Sequence, residues 1–177
     1  KDTKELTSAS ETQCLYIPRA HRLGLYSIKT ELEELVMKYT NPDKYNEISA
    51  LINKNVGTED KLKSCITDKV RQMLDANGYK YTIKTRIKPP YSCWKKMERK
   101  GVKFDEIYDL YAMRIILSGI PKEEEKSECF KVSSLITSEF NPDPSRFRDW
   151  ISTPKTNGYE SLQTTVMTPI GQWVEVQ

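Results

Sequence analysis

Histidines and paired cysteines are the functional residues that this sequence most clearly lacks. His21 is the only histidine among 177 residues, and because it lies in a helical stretch we expect it to be structural. A metal site built from several histidines is thereby excluded from this chain. Cys14, Cys65, Cys93 and Cys129 are scattered without the C-x-x-C spacing of zinc clusters or redox pairs. We therefore expect reduced, buried thiols and a cytoplasmic setting.

Long apolar runs and a strong net charge are also missing. No run approaches the length that spans a bilayer, and no signal peptide is visible, so we expect no membrane association. The net charge is only +3, which argues against a surface that binds polyanions as a whole and against direct DNA binding. Any affinity for phosphate must be local. The chain begins at Lys1 without a Met, so we expect a piece of a longer protein.

One loop, residues 146–162, concentrates the chemistry of a nucleotide site. Arg146, Arg148 and Lys155 can neutralise phosphate oxygens. Asn157-Gly158 allows a tight turn with positive φ, and Tyr159 offers a ring face to a base. The alternative is that Tyr159, one of ten tyrosines, packs under the turn.

Hydrophobic periodicity predicts an α+β fold, with a mixed sheet of about five strands flanked by helices and preceded by an α-helical segment. Helices are predicted over 18–39 with a break near Gly24, and over 42–51, 61–76, 90–100 and 129–140; strands are predicted over 79–88, 112–117, 162–168 and 173–176. The apolar run 112–117 predicts a strand buried on both faces. The polar stretch 53–58 places a boundary between a helical linker region, 1–57, and a second domain, 58–177.

A basic strand followed by a basic helix forms a second candidate cluster. Arg86 and Lys88 are two apart on a strand and project from one face, and Ser92 and Lys96 are four apart on a helix. Together these side chains can surround a triphosphate. The alternative is a solvated basic strand and helix, which is what most such runs are.

Two carboxylates are candidates for a metal site. Asp109 and Glu175 both lie at predicted strands, and two converging carboxylates are what Mg²⁺ between nucleotide phosphates requires. Val174 and Val176 point to one face of the last strand, so Glu175 projects from the other. The alternative is an ordinary exposed carboxylate on a sheet edge.

These elements, taken in order, resemble RelA/SpoT-type (p)ppGpp synthetases. The resemblance rests on R-I-K at 86–88 with Y-S and K-M after it, F-D-E-I-Y-D-L at 104–110, R-F-R-D-W-I-S-T-P-K-T-N-G-Y-E-S-L at 146–162 and V-E-V-Q at 174–177. Residues 16–25, Y-I-P-R-A-H-R-L-G-L, resemble the helical region that precedes the synthetase in long Rel enzymes.

The resemblance implies a stringent-response enzyme, a GTP or GDP pyrophosphokinase that transfers the β,γ-pyrophosphate of ATP to the 3′-hydroxyl of GDP or GTP. It implies a nucleotidyltransferase-like sheet, Mg²⁺ as cofactor, and ATP and GDP or GTP as partners. Any contacts with a ribosome are expected from regions outside this chain. The alternative from another class is a catalytically silent regulatory module on the same fold, which binds guanine nucleotides or RNA.

The resemblance also assigns roles to individual residues. Glu175 becomes the catalytic base and, with Asp109, a metal ligand. The ATP contacts are Arg86, Lys88, Ser92 and Lys96, and the acceptor contacts are Arg148, Lys155, Asn157, Tyr159 and Gln163, with Tyr159 stacking on guanine.

The chain departs from the family pattern at two places. Gln163 stands where the family has His, so a hydrogen bond survives but a titratable charge does not. The chain also stops at Gln177, before the family's I-R-T. The basic R-x-R-D at 146–149 resembles the version that accompanies bifunctional hydrolase–synthetases, so we expect an H-D hydrolase domain ahead of Lys1 and no hydrolase site within this chain.

Overall fold

The structure, a computed structural model, describes residues 3–56 and 63–177. Contacts divide the described residues into two units: those up to Val56 with Pro89–Ile107, and those from 63 to Lys88 with Tyr108–Gln177. The predicted boundary between residues 57 and 58 lies outside the described residues, so the division into 1–57 and 58–177 stays a prediction. Within the described ranges, no helix is both long and apolar enough to cross a membrane.

The first elements of the chain are helices, then helices and strands are mixed, and the last four strands follow without an α-helix between them. The α-helices are α1 (Thr3–Glu11), α2 (Ile17–Arg22), α3 (Tyr26–Thr40), α4 (Pro42–Val56), α5 (Lys69–Ala76), α6 (Pro90–Lys100) and α7 (Glu125–Glu139). Short π-helical segments lie at Thr12–Tyr16 and Lys63–Asp68, and 3₁₀ turns at Phe104–Glu106 and Pro144–Arg146. The strands are β1 (Lys80–Ile87), β2 (Tyr111–Ser118), β3 (Asn141–Pro142), β4 (Arg148–Asp149), β5 (Leu162–Met167) and β6 (Trp173–Val176).

The first unit is built from α1–α4 and α6. Gly24, at φ 71°, separates α2 from α3 as predicted, and α6 begins at Pro90 and ends before Gly101, whose φ is 62°. The carboxylate of Glu34 on α3 accepts the backbone N–H of Tyr91 at 2.8 Å. This bond satisfies an N–H in the first turn of α6 and ties that turn to α3. The side chains buried in this unit include Ala20, Val36, Met37, Ile48 and Cys93.

The second unit contains a mixed sheet in the order β1-β2-β6-β5-β3, with β4 paired to β5. The β2–β6 pair is parallel, whereas β1–β2 and β5–β6 are antiparallel. The predicted mixed sheet is confirmed with six strands, of which β3 and β4 are only two residues long. Strands of this length carry no periodic signal, which is why the sequence did not predict them.

The core lies on the face of the sheet that packs against α5 and α7. Its members include Val70 and Leu74 from α5, Val132 and Ile136 from α7, and Tyr111, Met113, Val166, Val174 and Val176 from the sheet. The prediction that β2 is buried on both faces is wrong for its second half, because Arg114 is exposed and Ile116 is 40% exposed. Only Tyr111–Met113 are buried throughout.

The last two strands, β5 and β6, form a hairpin. Gly171 takes φ 76° in the turn, and Thr168 donates its backbone N–H to the carbonyl of Gln172 at 2.9 Å. In the antiparallel register Thr165 lies opposite Glu175 and Val166 opposite Val174. The strand that carries Glu175, β6, is therefore a central strand of the sheet, between β2 and β5.

Candidate functional site

Arg86 and Glu175 lie on the sheet face opposite the core. Val174 and Val176 are buried at 0% and 3% exposure, whereas Glu175 between them is half-buried, so the predicted outward direction of Glu175 is observed. Ala112 pairs with Arg86 on one side and with Glu175 on the other. Because adjacent strands lie about 4.8 Å apart, Arg86 and Glu175 stand roughly 10 Å apart across the small side chain of Ala112.

Glu175 is held by a short hydrogen-bonded chain. Gln177 donates its side-chain amide to Oε1 of Glu175, and its own Oε1 accepts from Arg114 Nη2 at 2.7 Å and Nε at 3.1 Å. No role was predicted for Arg114 from the sequence. On the sheet Arg114 lies opposite Lys84, which adds two neighbouring cations to this face. Like charges directly opposite each other are destabilising, so this face favours an anionic ligand.

Lys88 and Asp109, predicted for ATP and for metal respectively, contact each other. Lys88 Nζ lies 3.1 Å from Asp109 Oδ2, and the two side chains are only 17% and 21% exposed. The backbone holds them together as well, since the N–H of Lys88 donates to the carbonyl of Leu110 at 2.8 Å. Each charge therefore offsets the other.

Asp109 and Glu175 are carboxylates, the chemical type that Mg²⁺ shared with phosphates uses as protein ligands. Asp109 lies three residues before Ala112, the neighbour of Glu175 on the adjacent parallel strand. In the described part of the chain no cluster of three or more Asp, Glu, His or Cys side chains could hold a metal. Mg²⁺ in nucleotide sites takes one or two carboxylates and completes its shell with phosphate oxygens and water. A two-carboxylate donor set is of this kind.

The predicted ATP residues fall in both units. Arg86 and Lys88 belong to β1 and the residue after it, in the second unit. Ser92 and Lys96 lie one turn apart on α6, in the first unit, and both are half-buried. The bond from Glu34 to Tyr91 fixes the turn of α6 that carries Ser92.

Arg148 is partly engaged within its own loop. It pairs with Gln163 where β4 meets β5, and its Nη1 donates to the carbonyls of Ser145 at 2.9 Å and Phe147 at 2.7 Å. The side chain is exposed, and its Nη2 and Nε carry donors that these two bonds do not use. These bonds hold the guanidinium over the loop that leads into β4.

The predicted turn at Asn157-Gly158 is present. Gly158 has φ 76° and donates its N–H to the carbonyl of Lys155 at 2.8 Å, and Lys155 donates to the carbonyl of Tyr159 at 3.1 Å. Asn157 Oδ1 accepts the N–H of Tyr159 at 3.2 Å. Asn157 therefore shapes the turn that presents Lys155 and Tyr159.

Tyr159 is held by hydrogen bonds at its hydroxyl and is contacted by a cation at its ring. Its hydroxyl accepts from Ser161 Oγ and from Gln163 Nε2, each at 3.0 Å. Lys155 Nζ lies over its ring, 5.2 Å from the centroid, and also over the ring of Trp150 at 4.8 Å. The amide of Gln163, predicted to contact phosphate, thus positions Tyr159 in this structure.

A stack of side chains links the loop of Arg146 to the two carboxylates. The Arg146 guanidinium lies 3.7 Å from the ring centroid of Tyr108, and Nε lies 3.2 Å from Asp143 Oδ2. Tyr108 in turn packs against Trp173, with 5.9 Å between centroids. Tyr108 precedes Asp109, and Trp173 lies two residues before Glu175. In the sequence, the only sign of this stack is that one aromatic residue lies directly before Asp109 and another lies two positions before Glu175.

A cavity of about 510 Å³ opens between α7 and the ends of β2, β5 and β6. Its lining includes Arg114, Cys129, Ile136, Tyr159, Leu162 and Gln177. Burial raises the pKa of the Cys129 thiol, so this thiol stays protonated at neutral pH. The lining of this cavity thus includes residues of the loop 146–162 and of the apolar core.

Comparisons with known proteins agree on one family. Residues 85–177 match the profile described as "Region found in RelA / SpoT proteins". The chain is 39% identical, over its whole length, to a guanosine-3′,5′-bis(diphosphate) 3′-pyrophosphohydrolase of Aquifex aeolicus, of which it covers 25%. It is 37% identical over 99% of its length to a GTP pyrophosphokinase of Myxococcus xanthus, of which it covers 22%. The chain thus spans about a quarter of these relatives.

A solved structure shares the fold. The small alarmone synthetase 1 of Bacillus subtilis, bound to its product pppGpp, aligns with a TM-score of 0.53 at 19% identity. The alignment covers 75% of this chain and 71% of that one. At this level of identity the likeness concerns the fold, and it agrees with the predicted mixed sheet flanked by helices.

Proposed function

This chain belongs to the RelA/SpoT family, and from that premise we propose that it transfers the β,γ-pyrophosphate of ATP to the 3′-hydroxyl of GDP or GTP, forming (p)ppGpp and AMP. The observation that carries the proposal is the row Arg86, Ala112 and Glu175 across three neighbouring strands. In this row Arg86 provides a cation for the donor phosphates. Glu175, two strands away, provides a carboxylate that can accept a proton.

Glu175 is the proposed base. A hydroxyl is a weak nucleophile, so a carboxylate must accept its proton as the oxygen attacks the β-phosphorus and AMP leaves. Gln177 donates to one carboxylate oxygen and is itself held by Arg114. The other oxygen, Oε2, is the one we assign to the 3′-hydroxyl. Gln177 and Arg114 are positioning residues in this scheme.

Cations supply the affinity for the donor. We assign the ATP phosphates to Arg86, Lys88, Ser92 and Lys96. Mg²⁺, when bound, neutralises the phosphate oxygens, and Asp109 and Glu175 would hold it. Lys88 is poised for an exchange, because ATP phosphates offer it a new anionic partner in place of Asp109.

The loop 146–162 supplies the acceptor side. We assign Arg148 and Lys155 to its phosphates, Asn157 to the turn, and the ring of Tyr159 to guanine, with Gln163 holding the Tyr159 hydroxyl. The setting proposed is the cytoplasm, supported by free thiols at Cys14, Cys93 and Cys129 in the described residues. Ribosome contacts are assigned to other regions of the longer protein, and no DNA contact is assigned.

The proposal is tested by thin-layer chromatography of the full-length protein incubated with γ-³²P-labelled ATP, GDP and Mg²⁺. We expect label to move from ATP into ppGpp, with AMP formed in equal amount. Binding of both nucleotides without transfer would indicate a silent guanine-nucleotide-binding module instead. Because a hydrolase elsewhere in the protein would remove product, the assay includes an excess of unlabelled ppGpp.

A further inference from the structure

Lys155 lies over two aromatic rings, and a role was predicted for only one of them, Tyr159. Its Nζ is 4.8 Å from the centroid of Trp150 and 5.2 Å from that of Tyr159. Among the described residues no carboxylate pairs with Lys155, so these two ring faces are its principal partners. The residue itself is exposed. We call Trp150 and Tyr159 the ring pair.

Trp150 is held in place by the backbone on both sides. Its N–H donates to the carbonyl of Ser161 at 2.9 Å, which extends the pairing of β4 with β5. Asp149 Oδ1 accepts the N–H groups of Ile151 at 3.0 Å and Ser152 at 2.8 Å. The Ser152 side chain and these N–H groups hold the pKa of Asp149 below its usual range, so the turn persists at neutral pH.

Tyr159 is equally anchored, by the two bonds at its hydroxyl and the bond from its N–H to Asn157. The ring pair is therefore fixed, whereas Lys155 reaches it through a long flexible side chain. Of the three side chains, the lysine is the one that moves most easily. Its ammonium can leave the rings without disturbing the turn, which is held by backbone bonds.

We propose that Trp150 is a second ring of the acceptor-base site, and that Lys155 covers the ring pair until the acceptor's phosphates draw its ammonium away. This inference rests on the proposed function, because it takes the acceptor to be a guanine nucleotide. A phosphate offers Lys155 a charge-assisted bond, which is stronger than its contact with an exposed ring. Once Lys155 has turned to the phosphates, the ring faces are free to stack on the base.

The consequence is that phosphate and base bind cooperatively. A nucleoside without phosphate must displace the ammonium and offers no compensating charge, so the site discriminates against guanosine. A nucleotide relocates the same lysine into a favourable contact. Removing the lysine side chain should therefore have opposite effects on the two ligands, which a simple phosphate contact would not produce.

The test compares Lys155→Ala with wild type in the full-length protein by isothermal titration with guanosine and with GDP. We expect guanosine to bind about 3- to 5-fold more tightly, because the rings are uncovered, and GDP about 10-fold more weakly, because a phosphate contact is lost. Lys122→Ala is the matched control, since Lys122 is exposed and lies outside the loop. It should change neither affinity.

Trp150→Leu provides the second arm. In the Lys155→Ala background it should reverse the gain in guanosine affinity and leave ATP affinity unchanged. If guanosine affinity is unchanged or lower in Lys155→Ala while GDP still binds the wild type, the inference is overturned. A gain that survives Trp150→Leu overturns the role of Trp150.

A nucleotide-free measurement separates this inference from the proposed function. Acrylamide should quench tryptophan emission more strongly in Lys155→Ala than in wild type, and this difference should vanish in the Trp150→Leu background. If GDP fails to bind even the wild type, the proposed function falls and the quenching alone decides whether Lys155 covers Trp150. Identical quenching in all variants overturns the covering.

Discussion

Lys88 and Asp109 form an ion pair, with 3.1 Å between Nζ and Oδ2, and each side chain is about four-fifths buried. One was predicted to bind a nucleotide phosphate and the other a metal. Their contact means that each charge has a partner of opposite sign within the chain. The strength of this pair can be measured directly.

A double-mutant cycle on Lys88→Met and Asp109→Asn should give a coupling energy of about 1 kcal/mol in urea unfolding without nucleotide. The reason is that the pair is shielded from solvent and its screening is weaker than at the surface. Lys95 and Glu98 form the matched control, at 3.2 Å but 46% and 49% exposed. Their coupling should be smaller. Additive effects at Lys88 and Asp109 would contradict the pairing.

Glu175→Gln should reduce pyrophosphate transfer by about 100- to 10,000-fold and leave GDP affinity nearly unchanged. The amide keeps the shape and the contact with Gln177 but cannot accept the proton. Single-turnover assays with labelled ATP measure the loss, and titrations with GDP measure the affinity. Glu123→Gln, at an exposed position in the same unit, is the control. Turnover at the wild-type rate would remove Glu175 from the mechanism.

Gln163→Leu should weaken GDP binding by about 1 kcal/mol, because the Tyr159 hydroxyl loses one of its two donors and the ring becomes less well positioned. The same substitution in a Tyr159→Phe background should have little effect, since the hydroxyl is already absent. Titration of the four proteins with GDP measures this coupling. An equal loss in both backgrounds would instead support a direct contact of Gln163 with phosphate.

Glu34→Gln should alter stability in a pH-dependent way. Burial raises the pKa of Glu34 above its ordinary 4.5, against the lowering effects of the Tyr91 N–H and Lys38, and Glu33 raises it further. The native state therefore binds this proton more tightly than the unfolded state, and stability falls as pH rises from 4.5 through the raised pKa. The amide oxygen of the substituted side chain would still accept the Tyr91 N–H, but the amide could not ionise.

We expect the unfolding free energy of Glu34→Gln, relative to wild type, to rise across that interval and to become constant above it. Urea titrations at several pH values between about 4 and 7 measure the difference. Glu31→Gln, at an exposed position of the same helix, controls for the loss of a charge. A difference that stays level across the interval would show that burial of Glu34 does not govern its protonation.

Local sequence signals predicted the structure correctly where neighbouring residues alone determine the conformation of a segment. Pro90 and Gly101 bound α6 because proline suits the first helical position and glycine accepts the left-handed region. The alternation in residues 173–177 predicted the direction of Glu175, since successive side chains of a strand point to opposite faces. The order of motifs likewise predicted the family, and hydrophobic periodicity predicted the mixed sheet.

Tertiary structure decided which of these residues meet. No spacing in the sequence predicts that Lys88 contacts Asp109, that Gln163 supports Tyr159, or that Lys155 covers Trp150. The burial of β2 was also misjudged, because an apolar run reports hydrophobicity but not how many faces have a packing partner. Dihedral preferences act over a few neighbouring residues, whereas pairing and burial depend on which distant segments the folded sheet brings together.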